Sequence, residues 1–389
     1  MLKTCPQLRS QLEKIKSLYS DYCLEFEPAK NTQEYEAILS IKKEIESNIK
    51  ELSNTIEKLT DKYETNLRYN LAQQLDLQYI GLFKEDLAKV KDKNGQQYFV
   101  DKQGNTFFAN ARFLEVYDFS EGLAIVKDLW DYYYINKEGD PAFGRQSYVL
   151  CNNFSDGLAL VVDESGYYYI NKGGDPDFGD RKFSYAGVFS EGIARVKDIK
   201  GWYYIDKEGH SIFGNKRFLD AEAFSEGLAV VQDQGGYYYI NKQGEVVFDT
   251  KRFHTAGRFC EGVAAVSDDE GFYYIDKDGE SICGESAFTM ATDFSEGLAL
   301  VRKEKSWYFI DKQGNYFFAD RGFKDAESFS EGLARVRDDD KYYFIDKQGN
   351  SFFADRGFNY AESFSGGLAR VTDNDGLLYY IDHKGRRIG

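Results

Sequence analysis

The chain has 389 residues, of which 42% are hydrophobic and 16% aromatic, so it can bury a sizeable core and is not disordered by composition. Its formal net charge of −16 disfavours nucleic acid and an anionic membrane surface as partners, because both are held through cationic side chains. Five cysteines without a Cys-x-x-Cys pair favour neither a disulfide framework nor a thiolate metal site, and they indicate a reducing, cytoplasmic compartment.

The first 80 residues have the sequence of a helical region. Thr4 and Gln7 have the spacing of a capping box, and Pro6 stands in the first turn, where its missing N–H is tolerated. Pro28 then interrupts the pattern, which predicts two helices folded as an antiparallel hairpin. The region contains no apolar run typical of a secretory signal or a membrane span, so we expect no membrane insertion.

The second predicted helix carries a regular stripe of apolar side chains. From Ile45 onward the steps alternate between four and three residues, which is the spacing of a coiled coil. Because this helix is much longer than the first, part of the stripe should stay open to a second chain or to the rest of the protein. Residues 38–63 are therefore a candidate contact for a homo-oligomer, with an intramolecular helical cap as the alternative. The stripe consists of Ile38, Ile41, Ile45, Ile49, Leu52, Ile56, Leu59 and Tyr63.

Residues 81–389 form a second region, in which residues 82–389 are nine tandem copies of a 35-residue unit. The motif Phe-Ser-Glu-Gly-Leu-Ala begins at Phe119 and returns, with small changes, every 35 residues up to Phe364. A second motif, Asp/Asn-Lys-x-Gly, occurs eight times at the same interval, from Asp101 to Asp346, and a ninth variant of it, Asp-His-Lys-Gly, begins at Asp382. The region is therefore a tandem repeat array.

Each copy has the pattern of short antiparallel strands joined by glycine turns. In the copy that begins at Phe329, residues 333–338 alternate as a strand, with Ala334 and Val336 facing the interior and Arg335 on the other face. A strand of Tyr and Phe follows, and a further turn leads to a short third strand. One such unit leaves an apolar face uncovered, so we expect neighbouring copies to stack.

The first and last copies share a longer first hairpin. The spacing from Val90 to Tyr98 and from Val371 to Tyr379 is eight residues, against seven in the inner copies. Terminal copies of an open array are expected to be atypical. A closed propeller of nine blades would also exceed the usual four to eight. We therefore expect an all-β open solenoid or superhelix, with a closed β-propeller as the alternative.

The motifs resemble those of a known family of repeats. Between residues 331 and 349, Glu-Gly-Leu-Ala-Arg-Val is followed by a short loop, an aromatic strand and Ile-Asp-Lys-x-Gly, and this order resembles the bacterial WG-repeat (Trp-Gly repeat) family. The family's Trp corresponds to Trp202 and Trp307, whereas its Gly is replaced by Tyr203, Tyr308 and their equivalents. The resemblance implies β repeats with interaction roles, and it offers no catalytic residues to transfer.

A row of carboxylates recurs in the Phe-Ser-Glu-Gly turns. We expect each of them to accept hydrogen bonds from turn amides or to pair with a neighbouring Lys; binding of cations or of a basic partner is the alternative. The three histidines, His210, His254 and His383, fall in no metal or nucleophile motif, so we expect no catalytic residue, cofactor or metal site. The carboxylates are Glu121, Asp156, Glu191, Glu226, Glu261, Glu296 and Glu331.

The copies differ most at one strand position, which faces away from the predicted interior. Divergence among otherwise similar copies is expected of a surface that is free to specialise. We therefore predict that a partner binds this face; drift on a solvated face is the alternative. The positions are Ile125, Leu160, Arg195, Val230, Ala265, Leu300, Arg335 and Arg370.

These features predict a non-enzymatic protein–protein interaction scaffold. The β repeats would present a surface to a protein partner, and the helical N-terminus would serve oligomerisation or docking. A carbohydrate-binding module that uses exposed aromatic side chains is one alternative. A hydrolase with carboxylates assembled across the repeats is another, and it would need two carboxylates about 5–10 Å apart.

Overall fold

The protein is described by a computed structural model, and it divides into two compact units, Met1–Leu71 and Ala72–Gly389. The second unit begins earlier than the predicted boundary after residue 80, because a strand already starts at Leu77. The described residues are 10, 12–17, 33–108, 111, 113–249, 251–282, 288–318, 321–353 and 357–389.

Most of the first unit's described residues belong to one long helix, α1 (Gln33–Gln74), whose last turn reaches into the second unit. This helix confirms the second predicted helix. Residues 12–17 are also helical, but most of the first predicted helix lies outside the described residues, so the hairpin stays a prediction. On α1 the predicted apolar stripe is largely exposed, with Ile41 at 57% and Leu59 at 48% of their full accessible surface, although Ile56 is buried. The side chain of Ile38 lies outside the described residues.

The second unit is built of short strands. They are β1 (Leu77–Lys84), β2 (Leu87–Asp92), β3 (Gln97–Asp101), β4 (Thr106–Phe107), β5 (Glu115–Val116), β6 (Ala124–Lys127), β7 (Tyr132–Ile135), β8 (Ala142–Arg145), β9 (Leu150–Cys151), β10 (Leu158–Asp163), β11 (Gly166–Asn171), β12 (Tyr185–Ala186), β13 (Ala194–Asp198), β14 (Gly201–Ile205), β15 (Asp220–Ala221), β16 (Leu228–Asp233), β17 (Gly236–Asn241), β18 (Val246–Val247), β19 (Thr255–Ala256), β20 (Val263–Asp268), β21 (Gly271–Asp276), β22 (Met290–Ala291), β23 (Ala299–Lys303), β24 (Ser306–Ile310), β25 (Asp325–Ala326), β26 (Ala334–Arg337), β27 (Tyr342–Ile345), β28 (Tyr360–Ala361), β29 (Leu368–Thr372), β30 (Leu378–Asp382) and β31 (Arg387–Ile388).

Within the described residues all of these strands except β8 form nine antiparallel sheets of three or four strands, and each sheet joins strands that are consecutive in the chain. In the fifth sheet, for example, β16 pairs with β17 so that Val231 lies opposite Tyr238. The predicted third strand at Phe352-Phe353 is wrong, because the chain makes only a single bridge at Ser351 and then turns. The third strand of most sheets is instead the two-residue strand that precedes the Phe-Ser-Glu-Gly turn, such as β28.

Both faces of an inner sheet are buried, because each sheet packs between two others. Ala264 and Val266 of β20 are in one hydrophobic cluster with Val230 and Tyr239 of the preceding sheet. Tyr239 is 1% exposed, and its ring centroid lies 5.1 Å from that of Phe259. The apolar core of the second unit is therefore a series of similar layers between neighbouring sheets.

A buried tyrosine also ties neighbouring sheets together. The hydroxyl of Tyr239 donates a hydrogen bond to the backbone carbonyl of Gly257, 18 residues further on in the next repeat, at 2.7 Å. The bond satisfies a phenol that would otherwise be buried without a partner. The same bond is made by Tyr134, Tyr169, Tyr204 and Tyr274.

The first and last sheets are in contact. Strand β1 lies against β30 and β31, as each first strand lies against the aromatic strand of the preceding sheet. The rings of Tyr79 and Tyr380 meet edge to face at 5.1 Å. At the end of the chain, the backbone of Gly389 approaches that of Gln78 closely. The two terminal sheets of the second unit thus touch each other, which is the arrangement that a closed array requires.

The longer hairpins that suggested free ends have another origin. The first sheet takes its first strand from β1, the first part of which lies before the predicted repeats. Strand β1 occupies in the first sheet the place that two-residue strands such as β5 take in the other sheets. The two longer hairpins, β2–β3 and β29–β30, belong to the two sheets that meet at this junction.

Candidate functional site

The predicted partner-binding residues are mostly buried, so the prediction of a free surface is wrong for six of the eight positions. Ile125 packs in one cluster with Tyr148 and Phe154, which belong to the next repeat. The prediction failed because it assumed that one face of each sheet meets water, whereas the next sheet covers that face. The six residues are Ile125 (2% exposed), Leu160 (6%), Val230 (2%), Ala265 (8%), Leu300 (2%) and Arg335 (8%).

The arginines among these positions form ion pairs within the chain. A guanidinium nitrogen of Arg195 lies 2.8 Å from a carboxylate oxygen of Glu222. Arg335 pairs in the same way with Glu327 at 2.7 Å, and Arg370 pairs with Glu362. Arg195 and Arg370 are only partly buried. Their carboxylate partners nevertheless give these arginines a structural role between strands. The differences in residue type among the repeats at this position therefore reflect packing.

The turn carboxylates accept hydrogen bonds from turn amides and pair with lysines, as the sequence predicted, and in the structure these bonds join neighbouring sheets. The carboxylate of Glu261 accepts a hydrogen bond from the backbone N–H of Gly297, in the equivalent turn of the next repeat, at 3.0 Å. It also lies 3.2 Å from Nζ of Lys312, in the Asp-Lys-x-Gly turn of that same repeat. We call this trio a clasp.

The clasp recurs along the array. A histidine replaces the lysine in the last clasp, where His383 stacks on Phe364 at 4.5 Å and lies 3.3 Å from Glu331. Asp156 is one methylene shorter, and it pairs with Lys207 at 2.8 Å. The other clasps are Glu85–Gly122–Lys137, Glu121–Gly157–Lys172, Glu191–Gly227–Lys242, Glu226–Gly262–Lys277, Glu296–Gly332–Lys347 and Glu331–Gly367–His383.

The backbone of these glutamates is strained, which supports a specific role for their side chains. Glu261 and Glu331 have φ angles of 55° and 56°, in the left-handed region that disfavours residues with a Cβ. This conformation costs about 1–2 kcal/mol per residue. Glycine would adopt it freely, so the glutamate side chain is retained for the bonds that it makes to the next repeat.

The clasp is absent at the junction between the first and last sheets. Gly366 stands where the other repeats have Glu, and Asp86 stands where they have the donor Gly. Lys102, whose equivalents pair with a glutamate of the preceding repeat, lies 3.6 Å from Asp86 of its own repeat. A glutamate at position 366 would meet the carboxylate of Asp86, so the two changes are matched to each other.

The Glu191 clasp gives the stability of the array a pH dependence. Burial alone would raise the pKa of Glu191, but the hydrogen bonds from Lys242 and from the N–H of Gly227 hold its pKa below the ordinary value. A carboxyl whose pKa is lowered by folding contributes stability that is complete above the unfolded pKa, near 4.3, and is lost as the pH falls through the folded pKa.

We therefore expect the denaturant midpoint of the protein to fall as the pH is lowered from 5 to 3. In a Glu191→Gln variant the midpoint should be lower at pH 7, and it should change less between pH 5 and 3. Equilibrium unfolding followed by tyrosine and tryptophan fluorescence measures both values. An unchanged pH slope in the variant would show that the Glu191 clasp does not contribute.

Three large apolar side chains are strongly exposed at the tips of hairpins. Leu129 and Trp130, between β6 and β7, are 78% and 83% exposed, and Ile199, between β13 and β14, is 100% exposed. We call these residues the apolar tips. The sequence holds a signal for them that our prediction missed, because the positions equivalent to Leu129 and Ile199 are polar in the other inner copies. Those residues are Glu164, Gln234, Asp269, Glu304 and Asp339.

Two further observations concern metals and membranes. Among the described residues, no group of three or more His, Cys, Asp or Glu side chains is placed to hold a metal ion. Nowhere in that part of the chain does a helix combine the length and the apolar composition that crossing a membrane requires.

Solved structures with a related arrangement share little sequence with this chain. The computationally designed Ika8 protein is 12% identical, with a TM-score of 0.40, over 68% of this chain and 94% of its own. A eukaryotic initiation factor is 13% identical, with a TM-score of 0.43, over 78% of this chain and 84% of its own. Hsv2 of Kluyveromyces lactis is 12% identical, with a TM-score of 0.34, over 67% and 93%.

No curated protein matches the chain. A family model does, and its description is "WG containing repeat". It matches six segments, which are spread through the second unit and follow the 35-residue period. The matched segments are residues 99–128, 180–201, 239–271, 285–307, 309–342 and 344–376. With their strands, turns and period as described above, the repeats of this chain belong to the WG repeat family.

Proposed function

We propose that residues 77–389 close into a ring of nine sheets that acts as a non-enzymatic scaffold for protein–protein interaction. The contact of β1 with β30 and β31 supports the ring. The clasps support a scaffold role, because they commit a row of carboxylates to holding neighbouring sheets together. A framework fixed in this way can present surface loops at constant spacing, which is how repeat proteins recognise their partners.

The exposure of the apolar tips is the observation that supports a protein partner. Large apolar side chains that are fully exposed lose contact with water when a partner covers them, and tryptophan is enriched among the residues that dominate binding energies. The tip of the intervening third repeat carries Glu164 and Ser165. The partner surface would therefore contact the second and fourth repeats across a polar tip.

The helical unit is proposed to join two copies of the chain. Ile41, Ile45, Leu52 and Leu59 are exposed on α1. From Ile45 onward the apolar stripe has coiled-coil spacing, which favours pairing with an identical helix. Residues 38–63 are therefore the proposed homo-oligomer contact. The proposed location is the cytoplasm, which agrees with the cysteine content, and no cofactor is proposed.

Affinity capture with the full chain as bait tests the scaffold proposal. The variant Leu129→Ser/Trp130→Ser/Ile199→Ser removes the apolar tips, and Gln234→Ser/Asp269→Ser/Glu304→Ser changes three equivalent polar tips outside the proposed surface as the control. A protein retained by the wild type and by the control should be lost with the first variant. Its binding, repeated with purified proteins, should weaken at least tenfold, or about 1.4 kcal/mol.

Equal binding by all three baits would show that the apolar tips are not the partner surface. Failure of the wild type to retain any protein specifically would contradict the scaffold proposal itself. Circular dichroism of each bait distinguishes loss of binding from loss of folding, and hairpin-tip substitutions are expected to leave the spectrum unchanged.

A further inference from the structure

The junction between the first and last sheets contains a cavity of about 390 Å³. It is formed by the first, second and last sheets, and its volume falls in the range of small-molecule sites, about 300–1,000 Å³. Its wall includes Tyr79, Lys89, Gln97, Glu115, Tyr117 and Tyr380. None of these residues belongs to the apolar tips or to a clasp.

Two residues of the first repeat, Lys89 and Gln97, leave this space unfilled. Lys89 stands opposite Phe99, at the position where the next repeat has Ile125. The equivalent residue is aliphatic in most copies and fills the space between sheets, as Ile125, Leu160, Val230 and Leu300 do. A lysine cannot fill that space with its charged end, because the ammonium group has to stay near water or a carboxylate.

Gln97 is the second of these two residues. It pairs with Lys91 as Tyr132 of the next repeat pairs with Lys127, so Gln97 takes the place of an aromatic ring. The amide of Gln97 is held by two hydrogen bonds, to the carbonyl of Leu114 and from the N–H of Val116. The side chain is thereby fixed at the wall, and the volume of a ring is left open. The inner repeats have Tyr132, Tyr167, Trp202, Tyr237, Phe272, Trp307 and Tyr342 at this position.

The polar groups of the cavity are already oriented. The carboxylate of Glu115 accepts hydrogen bonds from the hydroxyl of Tyr117 at 3.0 Å and from Nζ of Lys127 at 3.3 Å. Burial would raise the pKa of Glu115, but these bonds hold it below the ordinary value, so the group is ionised at neutral pH. Its side chain keeps 42% of its accessible surface, which leaves oxygen lone pairs available to a ligand.

The cavity combines an apolar wall with groups of both charges. The rings of Tyr79 and Tyr380 form one wall at 5.1 Å from each other. Lys89 is balanced by Asp118, with the amine and carboxylate 3.5 Å apart, and Glu115 by Lys127. Lys91 also lines the cavity and adds one further cation and hydrogen-bond donor. Because the other charges are paired with each other, a ligand does not have to be ionised to bond to them. A ligand with an apolar face for the tyrosines and several hydroxyl groups for the carboxylate, amine and amide fits it best.

We propose that this cavity is a binding site for a neutral saccharide of one or two rings. The apolar face of the sugar lies against Tyr79 and Tyr380, and its hydroxyl groups bond to Glu115, Lys89 and Gln97. The site is separate from the proposed partner surface at the apolar tips. Because the cavity needs the first, second and last sheets together, it exists only while the junction is closed.

Calorimetric titration of the full chain with neutral sugars tests the proposal. The probes are glucose, galactose, N-acetylglucosamine, maltose and cellobiose, with free glutamate and lysine as charged comparisons. The variant Lys89→Ile/Gln97→Tyr restores the residues of the inner repeats and should fill the cavity without unfolding the protein. The control, Lys305→Ile/Gln243→Tyr, makes the same two changes at exposed positions far from the cavity.

At least one neutral sugar should bind to the wild type and the control with equal affinity, and at least tenfold more weakly to the filled variant. A Tyr380→Ala variant, which removes part of the apolar wall, should also weaken binding at least tenfold. The absence of binding by any sugar would overturn the proposal, as would equal binding by the filled variant or a preference for glutamate or lysine. None of these results depends on the apolar tips, so the scaffold proposal is tested separately.

Discussion

Replacing Tyr239 with alanine is expected to destabilise the second unit by about 3–5 kcal/mol, the cost of truncating a large buried aromatic side chain. The ring is 1% exposed and packs against Phe248, Phe253 and Phe259, with centroid distances of 5.5, 6.0 and 5.1 Å. Alanine would leave a cavity between two sheets that are fixed by strand pairing and cannot collapse into it. Equilibrium unfolding in guanidinium chloride measures the change.

Tyr239→Phe is the matched control and should cost about 1 kcal/mol, because it removes one neutral hydrogen bond, to the carbonyl of Gly257, and keeps the ring. Later repeats of the chain already have Phe in place of this Tyr: Phe309 and Phe344 occupy the equivalent position and are equally buried. A loss for Tyr239→Phe as large as that for Tyr239→Ala would mean that the hydrogen bond, and not the packing of the ring, holds the sheets together.

Replacing Glu261 with alanine is expected to destabilise the unit by about 2 kcal/mol, the range of a hydrogen bond to a charged group. The change removes the acceptor for the N–H of Gly297 and the partner of Lys312. It also leaves a residue with a Cβ at a φ of 55°, so the backbone strain remains. Glu280→Ala is the control; its side chain is 77% exposed, and the change should stay within about 0.5 kcal/mol.

Glu261→Gly should cost less than Glu261→Ala by about 1 kcal/mol, because glycine adopts the left-handed conformation without strain. Gly366 shows that the array uses glycine at this position where no clasp is made. We therefore expect the denaturant midpoint to be highest for the wild type, lower for Glu261→Gly and lowest for Glu261→Ala. Equal stability of the glycine variant and the wild type would show that the bonds of the clasp only offset the backbone strain of Glu261 and add no net stability.

Much of the repeat domain could be predicted from the sequence, because the same motifs recur about every 35 residues. The alternation of Ala334 and Val336 with Arg335 identified a strand, and the recurring Phe-Ser-Glu-Gly and Asp-Lys-x-Gly motifs located the turns. The clasp was foreseen in part: the carboxylates were expected to meet turn amides or lysines. That the donor Gly and the Lys both come from the following repeat depends on how sheets stack, which a single copy does not encode.

The predicted binding face was wrong for a physical reason. Alternation along a strand assigns side chains to two faces, but it does not say whether the second face meets water or another sheet. Small and medium apolar residues such as Val230 and Leu300 are typical of a face covered by a neighbour. Arg335 concealed that pattern, because its buried charge is balanced by Glu327 and Asp325, which a linear motif does not reveal.

The contact between first and last sheets could not be predicted, because it depends on residues outside the repeat pattern. Strand β1 follows α1 after only a short turn, and its first residues were assigned to the helical region, which was predicted to extend to residue 80. The two longer hairpins were correctly recognised as exceptions. Exceptions at both ends of an array fit two free termini and also a single junction. Contacts between the end sheets, such as that of Tyr79 with Tyr380, distinguish the two cases and are visible only in the structure.

The most direct test of the closed ring is resonance energy transfer between dyes at positions 78 and 387, on β1 and β31. The labels are attached to Gln78→Cys and Arg387→Cys in a chain whose five native cysteines are replaced. In the ring these strands are in contact, so energy transfer should be nearly complete. In an open stack, eight intervals of about 10 Å would place the dyes about 80 Å apart. Weak transfer in the folded protein would contradict the ring.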